Sequence, residues 1–71
     1  MERAAVESSN VASVGYDVES AVLEVEFAHG GIYQYFGVPF FVYQGLIDAA
    51  SKGKYLNEVV KRGGYQYSRI G

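Results

Sequence analysis

The residues best equipped for chemistry lie in the last third of the chain. Lys52, Lys54, Lys61, Arg62 and Arg69 interleave there with Tyr55, Asn57, Tyr65 and Tyr67. Cations neutralise phosphates and release condensed counterions. Tyrosine rings offer stacking faces for unpaired bases, worth about 1–3 kcal/mol each. Asn57 is able to read a base edge, or equally to cap a turn. A second aromatic pair, Tyr33 and Tyr35, is spaced to share one face of a strand. Two tyrosines side by side on an open sheet face are a single-stranded RNA platform. The candidate nucleic-acid-binding set is therefore Lys52, Lys54, Tyr55, Asn57, Lys61, Arg62, Arg69, Tyr33 and Tyr35. The competing reading of the same residues is structural: a solvated helix end, and tyrosines packed into a small core.

Other chemistry is scarce. His29 is the only imidazole and stands beside Gly30-Gly31, where a solvated turn residue is expected rather than a general base. Glu24 and Glu26 share a strand face. A glycosidase-like pair, however, needs opposed placement around a substrate and one raised pKa. Two carboxylates at period two read instead as the solvated face of a strand. Neither Gly30-Gly31 nor Gly63-Gly64 belongs to a phosphate loop or a dinucleotide fingerprint. A structural zinc site is disfavoured by zero cysteines and a single histidine. The chain is read as a non-enzyme, with no cofactor and no metal.

Charge is distributed unevenly. Residues 1–50 carry seven acids and one base, a net −6; residues 51–71 carry five bases and one acid, a net +4. Their sum, −2, conceals a segregation able to produce opposed surface potentials. With 71 residues the chain is a single domain. No run of about 18 apolar residues exists to span a membrane, and Met1–Ser8 lacks the apolar core of a signal peptide. A cytoplasmic location is expected. No disulfide is available to staple so short a chain. Seven tyrosines and four phenylalanines must then build a tight aromatic core, or the chain must associate.

These residues need elements to hold them. In residues 11–17, Ala12, Val14 and Tyr16 alternate with Val11, Ser13, Gly15 and Asp17, which predicts a strand. Residues 21–27 alternate clearly, with Ala21, Leu23, Val25 and Phe27 opposite Val22, Glu24 and Glu26. His29-Gly30-Gly31 turns the chain into Ile32–Phe36, where Ile32, Gln34 and Phe36 oppose Tyr33 and Tyr35. Gln34 is an odd core residue, which favours the tyrosine side as the buried one. Pro39 ends this strand and suits the first turn of a helix. Val42, Leu46 and Ala49 or Ala50 then recur at helical spacing, Gly45 marks a close helix–sheet contact, and Gly53 is placed as the C-cap. Tyr55–Arg62 predicts a short second helix broken by Gly63-Gly64, and Tyr65–Ile70 a last strand. The expected fold is α+β: a three-stranded antiparallel meander, one main helix, a short second helix and a C-terminal strand. Val42, Leu46, Ala49, Leu56 and Val60 are expected to meet the sheet.

Taken in order, Ser8–Asp17, Leu23–Phe27, Tyr33-Gln34-Tyr35, Val38-Pro39 with Val42-Tyr43 and Leu46, Ser51–Asn57 and Tyr65–Ile70 resemble the KTSC domain. That family takes its name from the C-terminus of some lysyl-tRNA synthetases, and also occurs as small free-standing bacterial and phage proteins. The resemblance implies a single domain over residues 6–70, with residues 1–5 as an N-terminal tail. It matches the family's Tyr-x-Tyr to Tyr33 and Tyr35, and its Ser-x-Gly-x-Tyr-x-Asn to Ser51, Gly53, Tyr55 and Asn57. The function it implies is a small RNA-binding module, by association with the synthetases. The alternative is a protein-interaction module, acting as a homodimer or as a phage-type inhibitor of a host protein.

Overall fold

Period-two alternation builds the centre of an antiparallel sheet in the computed structural model, which describes all residues, Met1–Gly71. The strands are β1 (Ala4–Ala5), β2 (Val11–Asp17), β3 (Val22–Phe27), β4 (Ile32–Tyr35) and β5 (Tyr67–Arg69). Their order in the sheet is their order in the chain, and every pair is antiparallel. The expected three-stranded meander is thus the middle of a five-stranded sheet. β1 adds one edge and has only two alanines, too short to alternate. The last strand adds the other edge by docking on β4.

One register feature departs from strict alternation. Val11 pairs with Phe27 and Ser13 with Glu26, leaving Ala12 as an extra residue in a β-bulge. The bulge brings Val11 to the same side as Val14, where both are fully buried. Alternation alone had placed Val11 with Ser13 and Gly15.

Two helices cover one face. α1 spans Phe40–Asp48 and α2 begins as Lys52–Tyr55. Pro39 is the residue just before α1, with φ −61° and ψ 147°, and its carbonyl accepts from Val42 N–H at 3.0 Å. Ser51 opens α2, its hydroxyl accepting from Lys54 N–H. Gly53 therefore lies inside α2 rather than capping α1; a Cβ there would come within 2.5 Å of the Asn10 amide. Beyond Tyr55 the helix continues as a π-helical turn over Leu56–Val60 and a 3-10 turn over Lys61–Gly63. Gly64, at φ 77°, ends it in the left-handed region that glycine tolerates.

Val14, Leu23, Val25 and Tyr35 of the sheet pack against Val42, Leu46, Leu56 and Val60. Four of the five residues expected to meet the sheet are in this cluster, and Ala49 is half-buried at the end of α1. Gly45 does answer to a close contact, but between helices. The Tyr55 ring lies across it, and the Tyr55 hydroxyl donates to the Val42 carbonyl at 2.9 Å. A β-carbon on residue 45 would overlap that phenol.

Two effects oppose each other at Gly45. Alanine gains up to about 1 kcal/mol in helix propensity, whereas overpacking typically costs about 1–3 kcal/mol. Here the obstacle is a ring held by its own hydrogen bond, so the clash dominates. Gly45→Ala is expected to lower stability by about 1 kcal/mol or more in urea titration. In a Tyr55→Ala background the same substitution should cost less, because the overlap is then gone.

Candidate functional site

Alternation in β4 sends Tyr33 and Tyr35 to the helix side and Gln34 to the other. The register sets Tyr35 opposite Tyr67 and Tyr33 opposite Arg69. The side chains meet at the end of the helical layer in a cleft of about 570 Å³. Its floor is Tyr35 and Val60, which are 4% and 1% exposed. Phe27, Tyr33 and Tyr65 are half-buried walls. Tyr67 stands at the mouth, 64% exposed. Phe27 meets Tyr33 edge-on at 5.5 Å, and the Tyr67 ring lies 6.2 Å from Tyr33 and 5.9 Å from Tyr35.

Cations border these rings. Lys61 Nζ sits 5.2 Å from the centre of the Phe27 ring. Arg69 Cζ sits 5.9 Å from the centre of Tyr33, while its Nε donates to the Gly71 carbonyl. Such contacts contribute about 0.5–1 kcal/mol when exposed. The π-helical turn bears on this placement. Lys61 N–H bonds to the Leu56 carbonyl, five residues back. The widened turn keeps both Leu56 and Val60 in the core and delivers Lys61 to the cleft.

The sequence-selected set is divided by the fold. Tyr33, Tyr35 and Lys61 line the cleft, and Arg69 flanks it. Tyr55 instead ties α2 to α1, and Lys52 Nζ donates to the Ala49 carbonyl at 3.0 Å, satisfying the end of α1. Lys54, Asn57 and Arg62 are exposed and line no part of the cleft. Tyr33 and Tyr35 do not form a platform on an open sheet face, because the helices cover that face. Phe27, His29, Val60, Tyr65 and Tyr67 were outside the set. The repeat of Tyr-Gln-Tyr at 33–35 and 65–67, attributable to strand composition alone, was the one available signal for Tyr65 and Tyr67, since both copies contribute to the cleft; nothing in the sequence marked Phe27, His29 or Val60.

Protonation favours donation inside the cleft. Burial, together with the neighbouring Tyr33 and Tyr67, pushes the Tyr35 phenol above its ordinary value. Tyr16 and Tyr55 give their hydroxyls to the carbonyls of Val38 and Val42. The Tyr35 hydroxyl has no such partner in the chain. No side-chain nitrogen or oxygen is both sealed from solvent and unpartnered, so this hydroxyl keeps contact with solvent, and Tyr35 is part of the cleft lining.

The paired carboxylates lie on the opposite face. Glu24 is only 3% exposed, not solvated, because residues 1–3 fold across Gly15 and lay Arg3 over it. Arg3 forms an ion pair with Glu24 and donates to Ser13 at 3.0 Å; Gln34 donates to Glu24 at 2.8 Å. Ser13 in turn donates to Glu26 at 2.9 Å. Burial pushes the Glu24 carboxyl up, but the hydrogen bonds from Gln34 and Arg3, with the charge of Arg3, outweigh it and hold the carboxyl below its ordinary value. A carboxylate so held is not a general acid. No three His, Cys, Asp or Glu side chains converge as a metal site. No helix is long and apolar enough to cross a membrane.

Sheet, helical layer and cleft together define a small α+β domain with an aromatic concavity bordered by cations. The chain belongs to the KTSC domain family, whose profile matches residues 7–67. The crystal structure of a KTSC domain protein from Yersinia pestis superposes with a TM-score of 0.93 at 40% identity, covering 99% of this chain and 97% of that one. A protein of Stutzerimonas stutzeri is 47% identical over 99% of both chains. Lysine–tRNA ligase of a Nostoc species is 36% identical over 64 residues, 90% of this chain but 11% of the ligase.

The Glu24 network makes stability depend on acid in a defined direction. A carboxyl whose folded pKa lies below its unfolded value contributes fully above the unfolded value, and that contribution disappears as pH falls through the folded one. Asp17 acts in the same sense, its carboxylate accepting from the Ser20 hydroxyl and the Glu19 N–H. Stability should therefore decline below about pH 4.5, the ordinary carboxylate range. Glu24→Gln should make that decline shallower. Urea titrations from neutral pH to about pH 2 check it, and an unchanged acid limb would refute the assignment.

Proposed function

We propose that this protein is a small non-catalytic module that binds single-stranded RNA at the aromatic cleft. One observation carries the reading: Lys61 and Arg69 stand over aromatic rings beside the exposed Tyr67. Phosphate-binding charge and base-stacking surface are thus within reach of one strand. The exposed Lys54, Asn57 and Arg62 extend polar and cationic surface away from the cleft along the helical segment. Occurrence of similar sequence within lysine–tRNA ligases supports the same class of ligand. Tyr35 and Tyr55 act in this reading as framework, the first as cleft floor and the second as a helix tie.

The acidic half of the chain does not oppose such binding at the cleft. Glu24 and Glu26 face away from it, and Arg3 covers Glu24. Attraction is then local and short-ranged, screened over about 8 Å at physiological salt.

A second reading has its own observation. The outer side of α1 exposes Phe40, Phe41 and Ile47, at 47%, 73% and 38%. Phe41 in particular has no role in the core cluster. Exposed aromatic residues of this kind favour a protein contact.

Replacing Lys61 and Arg69 by alanine should weaken binding to oligouridylate and to tRNA. It should also flatten the salt dependence by about 0.7 in log–log slope for each phosphate contact removed. Absence of salt-dependent RNA binding by the intact protein at micromolar concentration would end the RNA reading. The protein-contact reading makes a separate prediction. Light scattering across a concentration series should show self-association that Phe41→Ser abolishes; a strict monomer would remove the homodimer form of that reading.

A further inference from the structure

The cleft has four properties that together specify a ligand smaller than a strand. Its volume, about 570 Å³, lies in the range of small-molecule sites. Its walls are aromatic and half-buried, suited to a flat ring. At its floor is Tyr35, a side chain 4% exposed whose hydroxyl has no acceptor in the chain and keeps contact with solvent. A phenol that stays protonated is a hydrogen-bond donor there. Finally, no aspartate or glutamate lines the cleft, while Lys61 does and Arg69 flanks it. A larger groove of about 840 Å³ beside residues 1–4 is lined by charges of both signs, Glu2 and Asp17 with Arg3, unlike the cleft.

A ligand matching all four is flat, aromatic, bears a hydrogen-bond acceptor on its ring and carries negative charge. We propose that the cleft receives one unstacked base, ring acceptor to the Tyr35 hydroxyl and phosphate to Lys61, so that a single nucleoside monophosphate is its minimal ligand. The inference rests on the nucleic-acid reading and deepens it. The module holds one splayed base per domain instead of tracking a backbone. Tyr67 at the mouth covers the outer face of the ring. Lys61, whose ammonium stands over Phe27 in the free protein, turns that ammonium to the phosphate.

The test is a titration of isotope-labelled intact protein with uridine 5′-monophosphate, followed by amide shifts. Uridine, inorganic phosphate and oligouridylate are titrated in parallel. The monophosphate should move the amides of Tyr33, Tyr35 and Tyr67 and saturate, with uridine binding more weakly. Lys61→Met retains the stem and loses the charge, and should erase the difference between uridine and its monophosphate. Tyr67→Ala, at an exposed position that cannot unfold the core, should weaken binding by about fivefold or more, the low end of what a stacking ring contributes. Tyr35→Phe should weaken uridine and its monophosphate alike.

Salt-dependent binding of oligouridylate with the cleft amides unmoved by the monophosphate would overturn the single-base site and leave the RNA reading standing. Failure of both ligands would overturn both. Equal shifts from inorganic phosphate alone, or unchanged affinity in Tyr67→Ala, would also overturn the base site.

Discussion

A strand has two faces, and β4 uses them for incompatible environments. Tyr33 and Tyr35 must lie together, and Gln34 must lie opposite them. Turning the tyrosines toward the helices places Tyr35 in the core and Tyr33 at its margin. The same choice sends Gln34 to Glu24, where it donates one of the hydrogen bonds that make a buried carboxylate tolerable. A slip of one residue would bury Gln34 under Leu46 and Leu56 and expose two phenols. The aromatic cleft and the polar network on the far face are therefore two results of one register.

The polar network shows how an acidic strand face is managed. β3 carries Glu24 and Glu26 two residues apart, and neither is left to repel the other freely. Arg3 and Gln34 take the first, Ser13 the second. Arg3 reaches its position because Gly15 has no side chain where residues 1–3 cross the sheet. Two of the seven acids of the first fifty residues are thereby placed on the side away from the cleft. Charge segregation along the sequence becomes, at this pair of faces, segregation in space.

How far the residues disclosed this arrangement depended on the range of the interactions involved. β2, β3, β4 and α1 were legible because alternation and helical spacing are local. The bulge at Ala12 was not, since it is visible only against the partner strand. β1 was not, since two alanines carry no pattern. Gly45 pointed to a close helix–sheet contact, but its partner is Tyr55 of the second helix, ten residues away, which only the packing names. The site was half legible for a related reason. Residue types pointed to tyrosines and cations, yet whether a given tyrosine is platform, tie or floor depends on what lies across the sheet. Tyr-Gln-Tyr occurring twice carried more information than strand composition, because β5 returns to β4 and brings Tyr67 against Tyr35.

That return has a consequence for motion. β5 is three residues long, exposed throughout, and bonded on one side only. Elements of this kind open at a small fraction of the free energy needed for global unfolding. Tyr67 and Arg69 leave with it, while Val14, Leu23 and Leu46 stay packed in the cluster that contains neither. The aromatic mouth thus rests on an edge strand that is held less firmly than the core. An occupant bridging Tyr67 to the Tyr35 floor would hold β5 closed, so its amides would exchange with solvent more slowly whenever the cleft is filled.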